Sequence, residues 1–112
     1  MNSSSLEEFL LALDEERFYD AHEALEHLWF PRRFEDDDEI RLLKGYINAA
    51  VSFELIKRGR KESAKKVYNV YLKYRDLRLH VKELYPQDAL HVSQYETIEK
   101  RIQTIHGALN DQ

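Results

Sequence analysis

In the stretch FYDAHEALEHLW, residues 18–29, two histidines and two glutamates sit among aromatic and aliphatic side chains. Imidazole and carboxylate are the groups that ligate divalent metals and move protons near neutral pH. On a helix, His22 stands one turn from Glu26 and Glu23 one turn from His27. His22 shares a line with Phe18, Leu25 and Trp29, which turns it at least partly inward. Glu23 and Glu26, three residues apart, then border the same groove. An imidazole and two carboxylates in a partly dry pocket beside a tryptophan can hold a divalent metal or raise a carboxyl pKa for acid–base work.

The spacing fits none of the strict metal-helix patterns. HEALEH is neither His-Glu-x-x-His nor His-x-x-Glu-His, and the Glu-x-x-His of di-iron bundles is missing because Glu26 follows Glu23 at that interval. A metal therefore needs a ligand from another helix. Glu54 is the candidate, since it extends the Ile47–Ala50 stripe to a core-facing position. The metal hypothesis is thus His22, Glu26 and Glu54, with Glu23 orienting the imidazole from behind and hydrolysis as the chemistry such an ion could support. His80 and His106 flank the buried lines of their helices, His91 falls in a loop and His27 faces solvent. The competing reading is structural and stronger. Lys44 or Arg41 neutralises Glu23 and Glu26, and the cluster of His22, Glu23, Glu26, Trp29 and Lys44 fixes how two helices cross. On that reading no cofactor is required.

Five helical segments must position these residues. Ser4 or Ser5 caps a first helix with Leu6, Phe9, Leu10 and Leu13 as its buried stripe, and LDEER makes a polar bend. The second helix spans about Arg17 to Trp29, and Pro31 stops it. After the charged loop RRFEDDDE, the third helix, Asp37 to Arg58, is apolar on more than one side and so central, with Gly59 terminating it. Gly45, mid-helix, marks a close approach, assigned to Trp29 or the second helix. Val67, Val70, Tyr74, Leu77, Val81 and Leu84 give a fourth helix with a heptad seam, ended by Pro86. Ser93 and Glu96 form a capping box for a fifth, whose buried line is Tyr95, Ile98, Ile102, Ile105 and Leu109.

Composition agrees. Three glycines and two prolines in 112 residues are too few for a turn-rich β fold, and the absence of cysteine excludes disulfides, cysteine–zinc sites and thiol nucleophiles. The start, MNSSSLEEFL, has no basic flank or long apolar run, and no run elsewhere approaches a membrane span, so a cytoplasmic location is expected.

The net charge of −4 hides an asymmetry. Residues 1–40 carry thirteen acids against three arginines, and residues 57–82 carry ten bases against two acids. The basic segment interleaves with Tyr68, Tyr71 and Tyr74, which suggests nucleic-acid binding through phosphates and stacked bases. The acidity of the whole chain opposes this, and a solvated or internally balanced face is the preferred reading. The heptad seam, with exposed Tyr68, Phe34 and Phe30, instead allows a homodimer or a helical protein partner.

RFYDAHEALEHLW resembles the signature of an uncharacterised bacterial and archaeal helical family, catalogued as a domain of unknown function, whose motif reads Phe-aromatic-acid-Ala-His-Glu-x-x-Glu-x-x-Trp. Phe18, Tyr19, Asp20, Ala21, His22, Glu23, Glu26 and Trp29 match it. A second family segment, Gly-x-Ile-Gln-x-Ala-Val-Ala-x-His-His-x-x-Arg-Gly-Asn, is similar to GYINAAVSFELIKRGR at Gly45, Ile47, Ala50, Val51, Arg58 and Gly59. The resemblance covers about residues 6–75 and implies a compact all-α fold with a polar cluster, but no established activity. The chain departs from it at Glu54 and Leu55, where the family has histidines, at Lys44, where the family's residue before the glycine is glutamine, and at Arg60, where it has asparagine. These departures weigh towards an internal ion pair and against a metal.

The expectation is therefore an all-α compact bundle of four to five helices over residues 1–112, a single helical domain. Its first function is that of a binding or interaction module. The metal site and the basic nucleic-acid face are the alternatives.

Overall fold

Apolar residues at three- and four-residue intervals become helices along the chain. The computed structural model describes the backbone of residues 3–84 and 89–110 and the side chains of residues 5–84 and 93–110. Among the described residues the elements are α1 (Ser3–Asp14), α2 (Phe18–Trp29), a 3₁₀ turn (Phe30–Arg32), α3 (Asp38–Lys57), α4 (Lys61–Tyr74), α5 (Leu77–Leu84) and α6 (Ala89–Asn110), with no strand. The all-α bundle is as expected. Pro86 lies outside the described residues, as does the side chain at position 4.

α3 is the central element: α2, α4, α5 and α6 pack on it, and α1 packs on α2 and α6. The residues dictate this, because buried side chains surround α3, among them Ile40, Leu43, Tyr46, Ala50 and Phe53. Its start is fixed by Asp37, whose side chain accepts the Glu39 backbone N–H at 2.8 Å, while Asp38 and Glu39 in the first turn suit the positive end of the helix dipole. One cluster of buried side chains draws on all six helices. Each Leu, Ile or Phe within it contributes about 1.5–3 kcal/mol. Tyr46 is its hub, with ring centroids 5.9 Å from Tyr95, 6.3 Å from Tyr71 and 6.5 Å from Phe9.

The same stop motif ends α1 and α3. Arg17 N–H reaches Ala12 O at 2.8 Å with Glu16 N–H on Leu13 O at 3.1 Å; Arg60 N–H reaches Leu55 O at 2.8 Å with Gly59 N–H on Ile56 O at 3.0 Å. Both are Schellman caps with a left-handed residue, Glu16 at φ 57° and Gly59 at φ 77°. Nothing lies within 4 Å of a Cβ built on Gly59, so only its backbone resists a side chain. Gly59→Ala should therefore cost about 1 kcal/mol, read as a small shift of the urea midpoint.

Three expectations change. The fourth helix is broken at Arg75 and Asp76 into α4 and α5, and Arg78 Nη1 donates to the Arg75 carbonyl at 3.1 Å in the break. No Gly or Pro signals this. The buried line of α4 is Ala64, Tyr68 and Tyr71, while Val67, Val70 and Tyr74 are only half-buried and Leu84 is exposed. α6 begins four residues before Ser93, so Ser93 lies inside the helix and is not its cap. Third, Gly45 faces α4, not α2: its Cβ would stand 3.2 Å from Tyr74 Cβ and 3.5 Å from Tyr71 Cα.

Candidate functional site

On α2 the core side is taken by Phe18, Ala21, Ala24 and Leu25. Trp29 is half-buried against the same core. The buried arc thus centres on the Ala21–Leu25 side, and His22 falls at its rim. Its side chain is 26% exposed, against 40% for Glu26, and Glu23 is exposed. His22 is partly buried, as expected, but its acidic neighbours are not turned inward: Ala21 and Ala24 take the inner positions, which leaves Glu23 and Glu26 on an outer ridge with the imidazole at its inner edge.

Along that ridge the polar groups satisfy one another. His22 Nε2 lies 2.7 Å from Glu26 Oε2, one turn away. The Tyr19 ring meets the His22 ring edge-on, with centroids 5.8 Å apart. The Tyr19 hydroxyl bonds to Glu23, and this hydrogen bond to a carboxylate raises its pKa above the ordinary phenol value. The expected counter-charges are elsewhere: Arg41 pairs with Asp36 and with Asp38, while Lys44 is exposed.

Two depressions adjoin the ridge. One, of about 390 Å³, is bordered by Tyr19, His22, Glu23, Glu26 and Phe30. The other, of about 250 Å³, runs between α2 and α3, with Tyr19 and His22 on one wall and Val51, Glu54 and Arg58 on the other. His22 and Glu54 thus share a groove, but Glu54 pairs with Arg58 at 2.9 Å. Among the described residues no three His, Asp or Glu side chains converge as metal ligands. His27 is exposed, as expected. Phe30 and Phe34 are exposed too, 51% and 88%, with the Arg33 guanidinium 3.7 Å and 4.5 Å from their ring centroids. Position 91 lies within α6, not in a loop. Its side chain is outside the described residues.

The basic segment looks different from its sequence. Tyr68 and Tyr71 are buried and Tyr74 is half-buried, so the lysines have no exposed tyrosine beside them for base stacking. Tyr68, expected at the surface, is in the core. Part of the charge is balanced by acids from other segments: Lys57 meets Glu16 at 3.1 Å, His80 pairs with Asp38, and Arg75 meets Glu99 at 2.9 Å. The His80 hydrogen bond, aided by Arg41, holds the Asp38 carboxyl below the usual aspartate range.

Sequence reasoning missed the buried polar groups of the bundle. Glu39 accepts from the Tyr95 hydroxyl at 3.0 Å, and Glu99 accepts from the Tyr71 hydroxyl and from Gln103 Nε2 at 2.8 Å. Both glutamates are almost fully buried. Burial, together with these carboxylates, drives the Tyr71 and Tyr95 phenols well above their ordinary pKa. The paired residues are up to 56 positions apart, beyond any spacing rule.

It also missed a stack between α4 and α6, where the Tyr68 and His106 rings lie 3.9 Å apart and 8° from parallel. Burial pushes the Tyr68 phenol up to about 12 and the His106 imidazole below its ordinary value. A histidine held neutral in the fold supports stability above its unfolded pKa, about 6.5, and that support is lost as pH falls through the lower folded value. The denaturant midpoint should therefore drop between pH 7 and pH 5 more steeply for the natural chain than for His106→Phe, which keeps a flat ring on Tyr68. Equal slopes would remove His106 as the cause.

No helix among the described residues is long and apolar enough to cross a membrane. No curated protein and no solved structure matches the chain. A family model does match residues 6–67, from the first core leucine through the α2 ridge and the whole of α3 into α4. That is more than half of the sequence, and the chain belongs to this family, a domain of unknown function (DUF309).

Proposed function

We propose that the chain is a binding module and that the outer ridge of α2, Tyr19, His22, Glu23 and Glu26 with Phe30 at its end, is its recognition surface. One observation carries this reading. The polar side chains of the ridge pair along α2 and border two adjoining depressions, while Phe18, Ala21, Ala24 and Leu25 do the packing. Carboxylates beside exposed aromatic rings suit a cationic group, so the partner in this reading is a peptide segment presenting lysine or arginine. The acidic excess of residues 1–40 would steer such a segment towards the ridge.

The test is a titration of the full chain with a short Arg/Lys-rich peptide, followed by amide chemical shifts. Saturable shifts should centre on residues 19–30, weaken as salt rises, and need at least about tenfold more peptide in Glu23→Ala/Glu26→Ala. Shifts scattered over every acidic patch, or unchanged by the double substitution, would contradict the reading.

The divalent-metal reading of His22, Glu26 and Glu54 draws on one observation, that His22 and Glu54 line the same groove. Elemental analysis of protein purified without chelators separates the two. One metal ion per chain, lost in His22→Ala, favours the metal; metal-free protein that still binds the peptide favours the ridge.

A further inference from the structure

A cleft of about 300 Å³ opens between the start of α4, the end of α6 and one side of α3. It uses none of the α2 ridge. Its inner surface is apolar or aromatic: Ile56, Ala64 and the Tyr68 ring stacked on His106. Its polar lining is rich in donors, Lys61 and Lys65 from α4 with the Asn69 and Asn110 amides. The single acid there, Glu62, stands 3.9 Å from Lys65, and both side chains are largely in water, so the contact takes little from the lysine's charge. Arg60, exposed next to Lys61, and the free N–H groups of the first turn of α4 add to the positive potential.

We propose that this cleft binds a small organic anion, a phosphate or carboxylate carried on an apolar body. The oxyanion meets Lys61 and Lys65, and the apolar body lies along Ile56, Ala64 and Tyr68. The volume, at the lower end for small-molecule sites, suits a compact ligand better than a polymer. A nucleic-acid strand would need the charge to continue along exposed aromatic faces, and the tyrosines of this segment are turned into the bundle or its flank. Burial keeps the His106 ring neutral near pH 7, able to donate from one nitrogen while its face stays on Tyr68.

The experiment is a titration of the full chain with phenyl phosphate, and separately with inorganic phosphate, followed by amide shifts. Phenyl phosphate should give saturable shifts confined to residues 52–56, 61–69 and 106–110 and bind at least about tenfold tighter than inorganic phosphate. Lys61→Ala/Lys65→Ala, two exposed positions, should weaken it at least about tenfold with the melting temperature unchanged. Non-saturating shifts, equal shifts at Lys73 and Lys82, equal affinity for the two probes, or indifference to the double substitution would each overturn the proposal.

Discussion

Gly45→Leu should lower the melting temperature by more than about 10 °C, while Gly45→Ala should leave it nearly unchanged. The contrast follows from how closely α3 and α4 cross. A Cβ at position 45 would lie 3.2 Å from Tyr74 Cβ, tight by a few tenths of an ångström, and 3.5 Å from Tyr71 Cα. Alanine meets that crowding but gains about 1 kcal/mol of helix propensity over glycine, so the two effects offset. Leucine adds three more carbons where both neighbours are a helix backbone and its first side-chain atoms. Neither can swing away, so the helices must separate, at a cost of about 3 kcal/mol or more. Thermal unfolding followed by circular dichroism checks it. A Gly45→Leu chain melting with the natural one would mean that α3 and α4 do not cross here.

Arg75→Leu should be the most damaging change to the buried polar network, costing about 3 kcal/mol, against about 1–2 for Glu99→Gln. The asymmetry comes from burial: the Glu99 side chain is 4% exposed and that of Arg75 is 31%. Losing Arg75 strands a carboxylate that water cannot reach, with only the Tyr71 hydroxyl and the Gln103 amide as neutral partners and Arg78 as a more distant cation. Losing the Glu99 charge leaves an arginine able to turn to solvent. The double variant Arg75→Leu/Glu99→Gln should recover much of the Arg75→Leu loss, because both desolvated charges go together. Urea unfolding of the four chains measures the cycle. Additive losses, or a costlier Glu99→Gln, would contradict it.

Much of this architecture was legible in the sequence. Leu6, Phe9 and Leu13, the all-round apolar α3, and Tyr95, Ile98, Ile102 and Leu109 are buried as their spacing predicts, because burial of an apolar stripe is a local rule. What failed was either angular or long-range. His22 lies only a little off the line of Phe18 and Leu25, yet that offset decides between pocket wall and core, and the sequence does not show that two alanines take the inner places. On α4 the spacing predicts the Val67–Val70–Tyr74 stripe and an exposed Tyr68, whereas Ala64–Tyr68–Tyr71, also at helical intervals, is the stripe that is buried. The bundle chose the one whose tyrosines reach Glu99 and His106, partners on another helix. At the break itself, Arg75 and Arg78 reach Glu99 and Glu96 on α6, contacts that no local pattern announces. Gly45 was correctly marked as a close approach, but which helix approaches is a property of the assembled fold.

If the polar residues of α2 form an outer surface and not part of the framework, the bundle should barely notice their removal. The direct measurement is the unfolding free energy of the triple variant His22→Ala, Glu23→Ala, Glu26→Ala. A loss of about 1 kcal/mol or less is expected, since exposed one-turn pairs contribute only a few tenths each and alanine is the better helix former. A loss of about 3 kcal/mol or more, the signature of a broken buried pair, would return these side chains to the core and leave no ridge to bind with.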